Sequence, residues 1–233
     1  MKRVWTEARA IASPEGWGVQ LDGKPLRLPD GPALLVPQHG LAEAVAAEWQ
    51  AAGQATGVMD YTDVPLTRLA GTAQLRIVPD TSAVVTAIAA YGETDLICYW
   101  ADTPPALVER QETAWRPWLD WSRREVGAVL TVTTGIIHVK QHPAALAALR
   151  RAVAAESGWV LAGLGIAVPA LGSLVLGLAL ARGEITPANA HVTARVDELF
   201  QIEQWGTDDA AELRQGQVAT DIADAARFME LVR

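Results

Sequence analysis

Cysteine is almost absent from this 233-residue chain, which contains Cys98 alone. A single cysteine cannot form an internal disulfide, and this usage is typical of a protein that works in a reducing compartment. Basic residues are also scarce, with 19 lysines and arginines against 27 acidic residues and a formal net charge of −8. This balance argues against nucleic acid or an anionic lipid surface as the main partner. The N-terminal residues contain no apolar stretch of the kind found in secretory signals, so no secretory signal is expected.

Sequence signatures of catalysis and of cofactor binding are missing as well. There is no G-x-G-x-x-G and no Walker lysine, so no nucleotide site is predicted. Ser173 lacks the glycine pattern of a nucleophile elbow, and the large apolar neighbours of Cys98 indicate an inert, buried thiol. His138 and His142 are four residues apart, but Pro143 follows directly and argues against a shared helical face. The sequence therefore predicts no metal, no cofactor and no catalytic residue.

Charge is absent from one long apolar run, residues 159–181, whose 23 residues could span a bilayer. Pro169 and several glycines favour two short helices over one rod, with Pro169 as the first residue of the second. The flanking arginines show no clear positive-inside asymmetry. The run is therefore predicted to form a buried helical hairpin, and a small integral membrane protein is the alternative.

The first 79 residues read as a small β-rich domain. Apolar alternation around Asp22-Gly23 predicts a β-hairpin, and a second turn is predicted at Asp30-Gly31 before a short strand. From Leu41 to Gly53 the apolar spacing changes to that of a helix. We expect one or two helices to pack on these strands.

Residues 80–233 read as a larger, all-helical domain, so the predicted fold class is α+β. Proline and glycine mark most of the helix ends. Pro117 predicts a kink or a break in its helix, and a β segment at residues 130–135 is expected to return toward the first domain. Helices are predicted at residues 80–92, 103–127, 142–158 and 186–206, and from about residue 208 to residue 232.

Tryptophan is over-represented, with nine residues against two phenylalanines and three tyrosines. Trp115, Trp118 and Trp121 recur every three residues along one helix. One interpretation is core packing. The other is an exposed band that grips another protein, since tryptophan is enriched at interface hot spots. Three arginines would then rim the band: Arg110, Arg123 and Arg124.

The segment "DELFQIEQWG", Asp197–Gly206, concentrates three carboxylates, two glutamines and a tryptophan. A helical wheel that starts at Val192 and advances about 100° per residue places Glu203 on the apolar stripe. Trp205 and Gly206 are predicted to end the helix. The polar face would carry Asp197, Glu198, Gln201 and Gln204.

A carboxylate on a packing face needs a partner or a proton, because burying it alone is very costly. One hypothesis is that Glu203 pairs with an arginine of another segment, and Arg68 is the best candidate because it too lies among apolar residues. The alternative is an acid–base hydrolase in which Glu203 is a general acid with a raised pKa. That enzyme would need a second catalytic group, which the sequence does not offer, so structural or docking use is favoured.

Several segments, taken in order, are similar to one family. Together the ordered segments span most of the chain from Val4 to Phe228, and one departure is Leu171, where a hydroxyl residue is expected before Gly172. The segments are "VPLTRLAGTA", "YGETDLICYWA", "RQETAWRPWLDW", "LTVTTGI", "GSLVLGLALARGEIT" and "VDELFQIEQWGTD". They resemble the assembly chaperones for the alpha subunit of the F-type ATP synthase catalytic head, found in mitochondria and alphaproteobacteria.

The resemblance implies a non-enzymatic chaperone that binds the free alpha subunit and prevents its aggregation until the beta subunit replaces the chaperone. It also implies a β-rich N-terminal and a helical C-terminal domain. We expect a monomer in the bacterial cytoplasm (the mitochondrial matrix for organellar relatives), without nucleic acid or membrane insertion. The candidate partner-binding or domain-linking residues are Glu203, Trp205, Gln201, Gln204, Asp197, Glu198, Arg68, Asp95, Trp115 and Trp118.

Overall fold

The N-terminal part of the computed structural model, which describes residues 1–29, 31–206 and 209–233, is a small antiparallel sheet. Its second hairpin confirms the predicted turn, because Leu21 pairs with Lys24 across Asp22 and Gly23, which both have positive φ. The second turn was predicted at Asp30-Gly31, and Asp30 lies outside the described residues. The strands are β1 Ala8–Ser13, β2 Gly16–Leu21, β3 Lys24–Pro25 and β4 Leu35–Val36, and β2 pairs with the other three.

Helix α1, His39–Ala51, covers this sheet, as its spacing predicted. Leu41, Val45 and Trp49 recur every four residues and are buried. The indole of Trp49 donates to Thr67 Oγ1 at 2.9 Å, and Glu48 accepts from the backbone N–H of Leu66 at 2.7 Å. These contacts join α1 to the start of α2, Pro65–Thr72, so the sheet and its helices form one packed unit.

The rest of the chain is helical, and the predicted α+β class, with strands first and helices after, is confirmed. Buried side chains form one continuous cluster from Trp5 to Val232, and α10 packs on α1 and α2. A domain boundary at residue 79 stays a prediction. The remaining helices are α3 Ser82–Ala90, α4 Pro105–Trp121, α5 Pro143–Ala154, α6 Gly158–Leu171, α7 Leu174–Ala181, α8 Pro187–Ala194, α9 Val196–Trp205 and α10 Asp209–Leu231.

The apolar run forms the predicted buried hairpin, made of α6 and α7 at the centre of the helical part. The predicted place of Pro169 is wrong, because it lies in the last turn of α6. The helix ends at Gly172, whose φ of 62° is left-handed, and Ser173 caps α7 by accepting from the Leu176 N–H at 3.1 Å. No helix in the described part of the chain is long and apolar enough to cross a membrane.

Three further expectations need correction. The segment around residue 133 pairs in parallel with Tyr99–Trp100 and not with the N-terminal sheet; these two strands are β6 Thr133–Thr134 and β5. Helix α4 runs through Pro117 without a break, since Trp115 and Trp121 anchor it in the core on both sides. The predicted helix 186–206 is two helices, α8 and α9, because the backbone of Arg195 (φ −113°, ψ 22°) leaves the helical region.

Close contact between α6 and α10 requires a glycine. A Cβ on Gly163 would overlap the side chain of Met229 and come within 3.1 Å of the Ala225 carbonyl oxygen. Gly165, one residue further along α6, would meet nothing within 4 Å. The two glycines therefore offer a matched pair of positions for the same substitution.

We expect Gly163→Ala to lower the free energy of unfolding by about 1–3 kcal/mol, because the added methyl overpacks the α6–α10 contact. Gly165→Ala should raise it by up to about 1 kcal/mol, because alanine favours the helix and has room. Urea unfolding of both variants measures the difference. Equal effects of the two substitutions would contradict this account of the contact.

Candidate docking surface

Helix α9 is fixed to α4 by an apolar underside and not by the stripe that the helical wheel predicted. Val196 and Phe200 are buried, while Val192 is 54% exposed. The helical wheel was wrong because the break at Arg195 places Val192 on a different helix, α8. The direction of the Val192 side chain therefore does not predict which face of α9 is buried. The register of α9 starts at Val196.

Glu203 forms a two-point ion pair with Arg110 of α4. Its Oε1 lies 2.8 Å from Nη1, and its Oε2 lies 2.7 Å from Nη2. The Arg110 guanidinium also lies over the Phe200 ring, 5.2 Å from its centroid. The prediction that an arginine from another segment meets Glu203 is therefore right, but the partner is Arg110 and not Arg68.

The predicted burial of Glu203 is wrong, since 51% of its side chain is exposed. Its hydrogen bond with Arg110 lowers the pKa of Glu203 below its usual range, and the same bond raises the pKa of Arg110. A general acid would need the opposite shift. The pair therefore holds α9 on α4 from the solvent side.

Asp197 is not on a free polar face, as the wheel implied, but is bound to α4. Gln111, which is 1% exposed, donates from Nε2 to Asp197 Oδ1 at 2.6 Å. The Oε1 of the same glutamine accepts from the Ala101 N–H at 2.7 Å. Gln111 thus joins α9 to the chain that follows β5. The sequence analysis did not identify Gln111 as a site residue. The one sequence signal at this position is that Gln111 lies in "RQETAWRPWLDW", one of the segments that carry the family resemblance.

The tryptophans of α4 confirm the core-packing interpretation and contradict the exposed band. Trp115 is fully buried and donates to the Thr193 carbonyl at 2.8 Å. Trp118 is half-buried, with its ring centroid 6.4 Å from that of Trp121, which is buried. The band faces inward because α4 packs against α7 and α9. The supposed rim is used within the protein: Arg110 binds Glu203, and Arg123 lies 3.2 Å from Asp120.

Asp95 lies inside the protein and is inaccessible to a partner. Its carboxylate accepts from the Val175 N–H at 3.0 Å and from the side chain of Ser173. Burial raises the pKa of Asp95 to about 6 from a usual 3.8. The residue therefore holds the start of α7 against the turn that precedes β5. Cys98 is also fully buried, and burial raises the pKa of its thiol, as expected for an inert group.

The remaining histidine and arginine candidates have separate surroundings. His138 Nδ1 lies 3.2 Å from the Tyr99 hydroxyl, and His142 caps α5 by accepting from the Ala144 N–H. In the described part of the chain, no three His, Cys, Asp or Glu residues lie together as a metal group. Arg68 is exposed on α2 and lines a different groove.

An open surface remains on the outer side of α9. Glu198, Gln201 and Gln204 are exposed, and Trp205 is 79% exposed. Gly206, with a φ of 79°, ends the helix as predicted. A groove of about 510 Å³ runs between α9 and α10 beside these residues. We call this set the α9 surface: Glu198, Gln201, Gln204, Trp205 and the groove between α9 and α10.

Buried polar atoms lie beside the α9 surface. The Nε of Arg195 and the Nε2 of His191 are buried without a hydrogen-bond partner among the described residues, and both residues line the cavities next to α10. Burial and the Arg195 charge lower the pKa of His191, so this histidine is neutral at pH 7. Sequence reasoning missed both, because neither is part of a recognisable pattern.

Taken together, these contacts define a helix, α9, that is fixed to α4 on its inner side and open on its outer side. A family described as "ATP12 chaperone protein" matches residues 2–123, about half of the chain. The chain therefore belongs to the ATP12 chaperone family, a family of ATP synthase assembly chaperones.

Individual relatives agree with the family. The crystal structure of Atp12 from Paracoccus denitrificans is 40% identical, has a TM-score of 0.93 and is matched over 100% of this chain and 98% of that one. A chaperone-like protein from Agrobacterium tumefaciens is 34% identical, with a TM-score of 0.92, over 100% of this chain and 86% of that one. The mitochondrial protein atp12 of Schizosaccharomyces pombe is 24% identical over an alignment of 221 residues, which covers 89% of this chain and 75% of that protein.

We expect Gln111→Ala to lower the free energy of unfolding by about 1–3 kcal/mol, because it removes a buried side chain and leaves the half-buried Ala101 N–H without its acceptor. Glu203→Gln should change stability little, since the pair that it breaks is exposed to water. Guanidinium unfolding of the two variants provides the comparison. A loss in Glu203→Gln as large as that in Gln111→Ala would contradict this account, because the exposed pair would then contribute as much as the buried glutamine.

The raised pKa of Asp95 predicts a pH dependence of stability. The folded chain binds this proton more tightly than the unfolded chain, so the group adds stability as the pH falls through 6 toward 3.8. The gain should be about 3 kcal/mol at two pKa units. Asp95→Asn cannot titrate, so the stability difference between wild type and Asp95→Asn should shift in favour of wild type over this window. A difference that is constant with pH would contradict the assignment.

Proposed function

We propose that this protein binds the unassembled alpha subunit of the F-type ATP synthase catalytic head, prevents its aggregation and releases it for assembly with the beta subunit. The observation that carries the proposal is Trp205, 79% exposed at the end of a helix whose underside is fixed. Membership of the ATP12 chaperone family supports the choice of an ATP synthase subunit as client.

The α9 surface has the properties that temporary binding requires. A subunit that awaits its neighbour exposes apolar surface, which the chaperone must cover without holding it permanently. Binding sites of this kind combine an aromatic anchor with a polar rim that stays partly wet. Trp205 is the anchor, and Glu198, Gln201 and Gln204 form the rim.

The support under α9 limits the entropy lost on binding. Val196 and Phe200 are packed, Asp197 is bound to buried Gln111, and Glu203 is bound to Arg110. The backbone that presents Trp205 is therefore held before the client arrives. Because little backbone has to be ordered on association, more of the contact energy is available for binding.

The acid–base hydrolase alternative has lost the observation that motivated it. Glu203 is exposed and paired with Arg110, and its pKa is lowered instead of raised. Ser173 is buried and acts as a helix cap, and Cys98 is buried with a raised pKa. The relatives in the family are named as chaperones, which supports a function without catalysis.

The compartment and the oligomeric state belong to the same proposal. A buried lone thiol, Cys98, fits a reducing compartment, and two of the structural relatives come from bacteria. We place the protein in a bacterial cytoplasm, acting as a monomer, where newly made alpha subunit would be met. Sedimentation of the purified chain would show a single species of about 24.9 kDa.

The test is suppression of aggregation by wild type, Trp205→Ala and Tyr61→Ala. Denatured alpha subunit is diluted with each protein in the absence of ATP, and light scattering is recorded. Wild type should suppress scattering, and Trp205→Ala should need about tenfold more protein, as expected for the loss of an aromatic anchor. Tyr61→Ala, which removes another exposed aromatic away from α9, should behave as wild type.

Two results would overturn this proposal. In the first, wild type leaves scattering unchanged and recovers no alpha subunit in a pull-down, so that the client is wrong. In the second, Trp205→Ala and Tyr61→Ala suppress scattering equally well, so that the α9 surface is wrong.

A further inference from the structure

A second groove, of about 410 Å³, lies between α2, α3, α6 and α10. It shares no lining residue with the groove beside α9. Its volume is within the range of pockets that enclose a small ligand or a few side chains. We call it the α6 groove, after the helix that contributes Ala162, Gly165 and Ile166 to it.

The lining of the α6 groove is mainly apolar. Leu69 and Ile77 are buried, Val84 is half-buried, and Ile166 is 43% exposed. Most side chains of α6 are buried, so the exposed Ile166 leaves apolar surface of this helix open to solvent. The open space at Gly165 continues this apolar area. The groove therefore leaves apolar surface of α6 uncovered.

Charges at the α6 groove are unbalanced. Asp221 and Asp224 line it three residues apart on α10, and both are half-buried. Burial and the neighbouring Asp221 raise the pKa of Asp224, although Arg227 lowers it. Glu48 adds to the same field, since it and Asp224 interact electrostatically. Gln217 donates to Asp221 Oδ1 at 3.1 Å, so the two half-buried carboxylates are compensated only in part.

Arg68 lines the same groove and is free to bind a ligand. Its guanidinium has no hydrogen bond and no ion pair with any residue of 1–29, 31–206 or 209–233. An unpaired arginine beside an apolar groove can donate several hydrogen bonds, for instance to the backbone carbonyls of a bound segment. The groove therefore offers acceptors on α10 and donors on α2.

We propose that the α6 groove binds an apolar segment of the client that carries a lysine or arginine. The long stem of such a side chain packs on apolar surface while its charge reaches Asp221 and Asp224. An acidic segment is disfavoured, because the two carboxylates outnumber Arg68, the one cationic residue that the described part of the chain places in the lining of the groove. This inference rests on the proposed function, and it gives the client a contact separate from the α9 surface.

Gly165→Trp tests the groove by filling it. The added side chain enters open space on an existing helix, so the fold should be retained, which circular dichroism verifies. The dissociation constant for the alpha subunit should rise about tenfold, because the apolar segment loses its place. Ile136→Trp, at a loop position that is 99% exposed and outside both grooves, adds the same bulk and should bind as wild type.

A second blocking variant keeps the test valid if Gly165→Trp does not fold. Thr72→Trp introduces the same bulk from α2, at an exposed residue that lines the groove. Unchanged binding by both folded tryptophan variants overturns the inference and leaves the proposed function intact. If wild type itself fails to bind the alpha subunit, both proposals fail.

The charge requirement has its own test. The double variant Asp221→Asn, Asp224→Asn should weaken binding and make it less sensitive to salt, whereas Glu15→Gln, on the exposed turn after β1, should do neither. A photo-crosslinker placed at Thr72 should capture a client peptide that contains lysine or arginine beside apolar residues. Capture of an acidic peptide, or of a second copy of this chain, would overturn the choice of occupant.

Discussion

The apolar hairpin of α6 and α7 imposes the constraint on which the rest of the structure depends. Neither helix has a polar face, so other parts of the chain cover α7 fully and α6 everywhere except at the α6 groove and near its C-terminal end. Helix α10 approaches α6 at Gly163, and α7 approaches α6 at Gly177, where a Cβ would overlap Val168. Because α2 of the N-terminal unit also packs on α6, burying the hairpin joins the N-terminal sheet unit to the helices that follow. The buried carboxylate of Asp95 aligns the second helix of the hairpin within this arrangement.

The α9 surface is a consequence of how α4 and α9 share their polar groups. The side-chain amide of Gln111 accepts from the Ala101 N–H and donates to Asp197, and the guanidinium of Arg110 binds Glu203. The inner contacts are thereby satisfied, and the outer residues of α9 are left to solvent. The proposed function uses this separation, because the fixed side of α9 supplies rigidity and the open side is the proposed client contact. The α6 groove, if it binds the client as proposed, would extend contact to another side of the α10 helix.

Local signals were sufficient for much of the fold. The pair Asp22-Gly23 predicts its hairpin because the turn needs a positive φ at two consecutive residues, which few residue pairs adopt. The spacing of Leu41, Val45 and Trp49 predicts α1 because it places the three apolar side chains on one face, which must be buried. The site could be predicted only in part. An arginine partner for Glu203 was foreseen from the cost of an unpaired carboxylate, but Arg110 lies 93 positions away in sequence, and no local rule selects it over Arg68. The break at Arg195 could not be predicted, because no proline or glycine marks it in the sequence. Without the break, the helical wheel assigned the wrong buried face to α9.

By itself, the sequence determined the α+β class, the apolar hairpin and the family, because patterning and ordered motifs are properties of neighbouring residues. Only the tertiary structure decided which residues are available to a partner. Trp115 and Trp205 are the same kind of side chain on amphipathic helices, yet one is fully buried and the other is 79% exposed. The difference arises because α4 is packed between other helices, whereas Trp205 stands at the end of α9, where no other helix covers it in the described part of the chain. Burial is a property of how helices are assembled, which spacing along one helix does not contain.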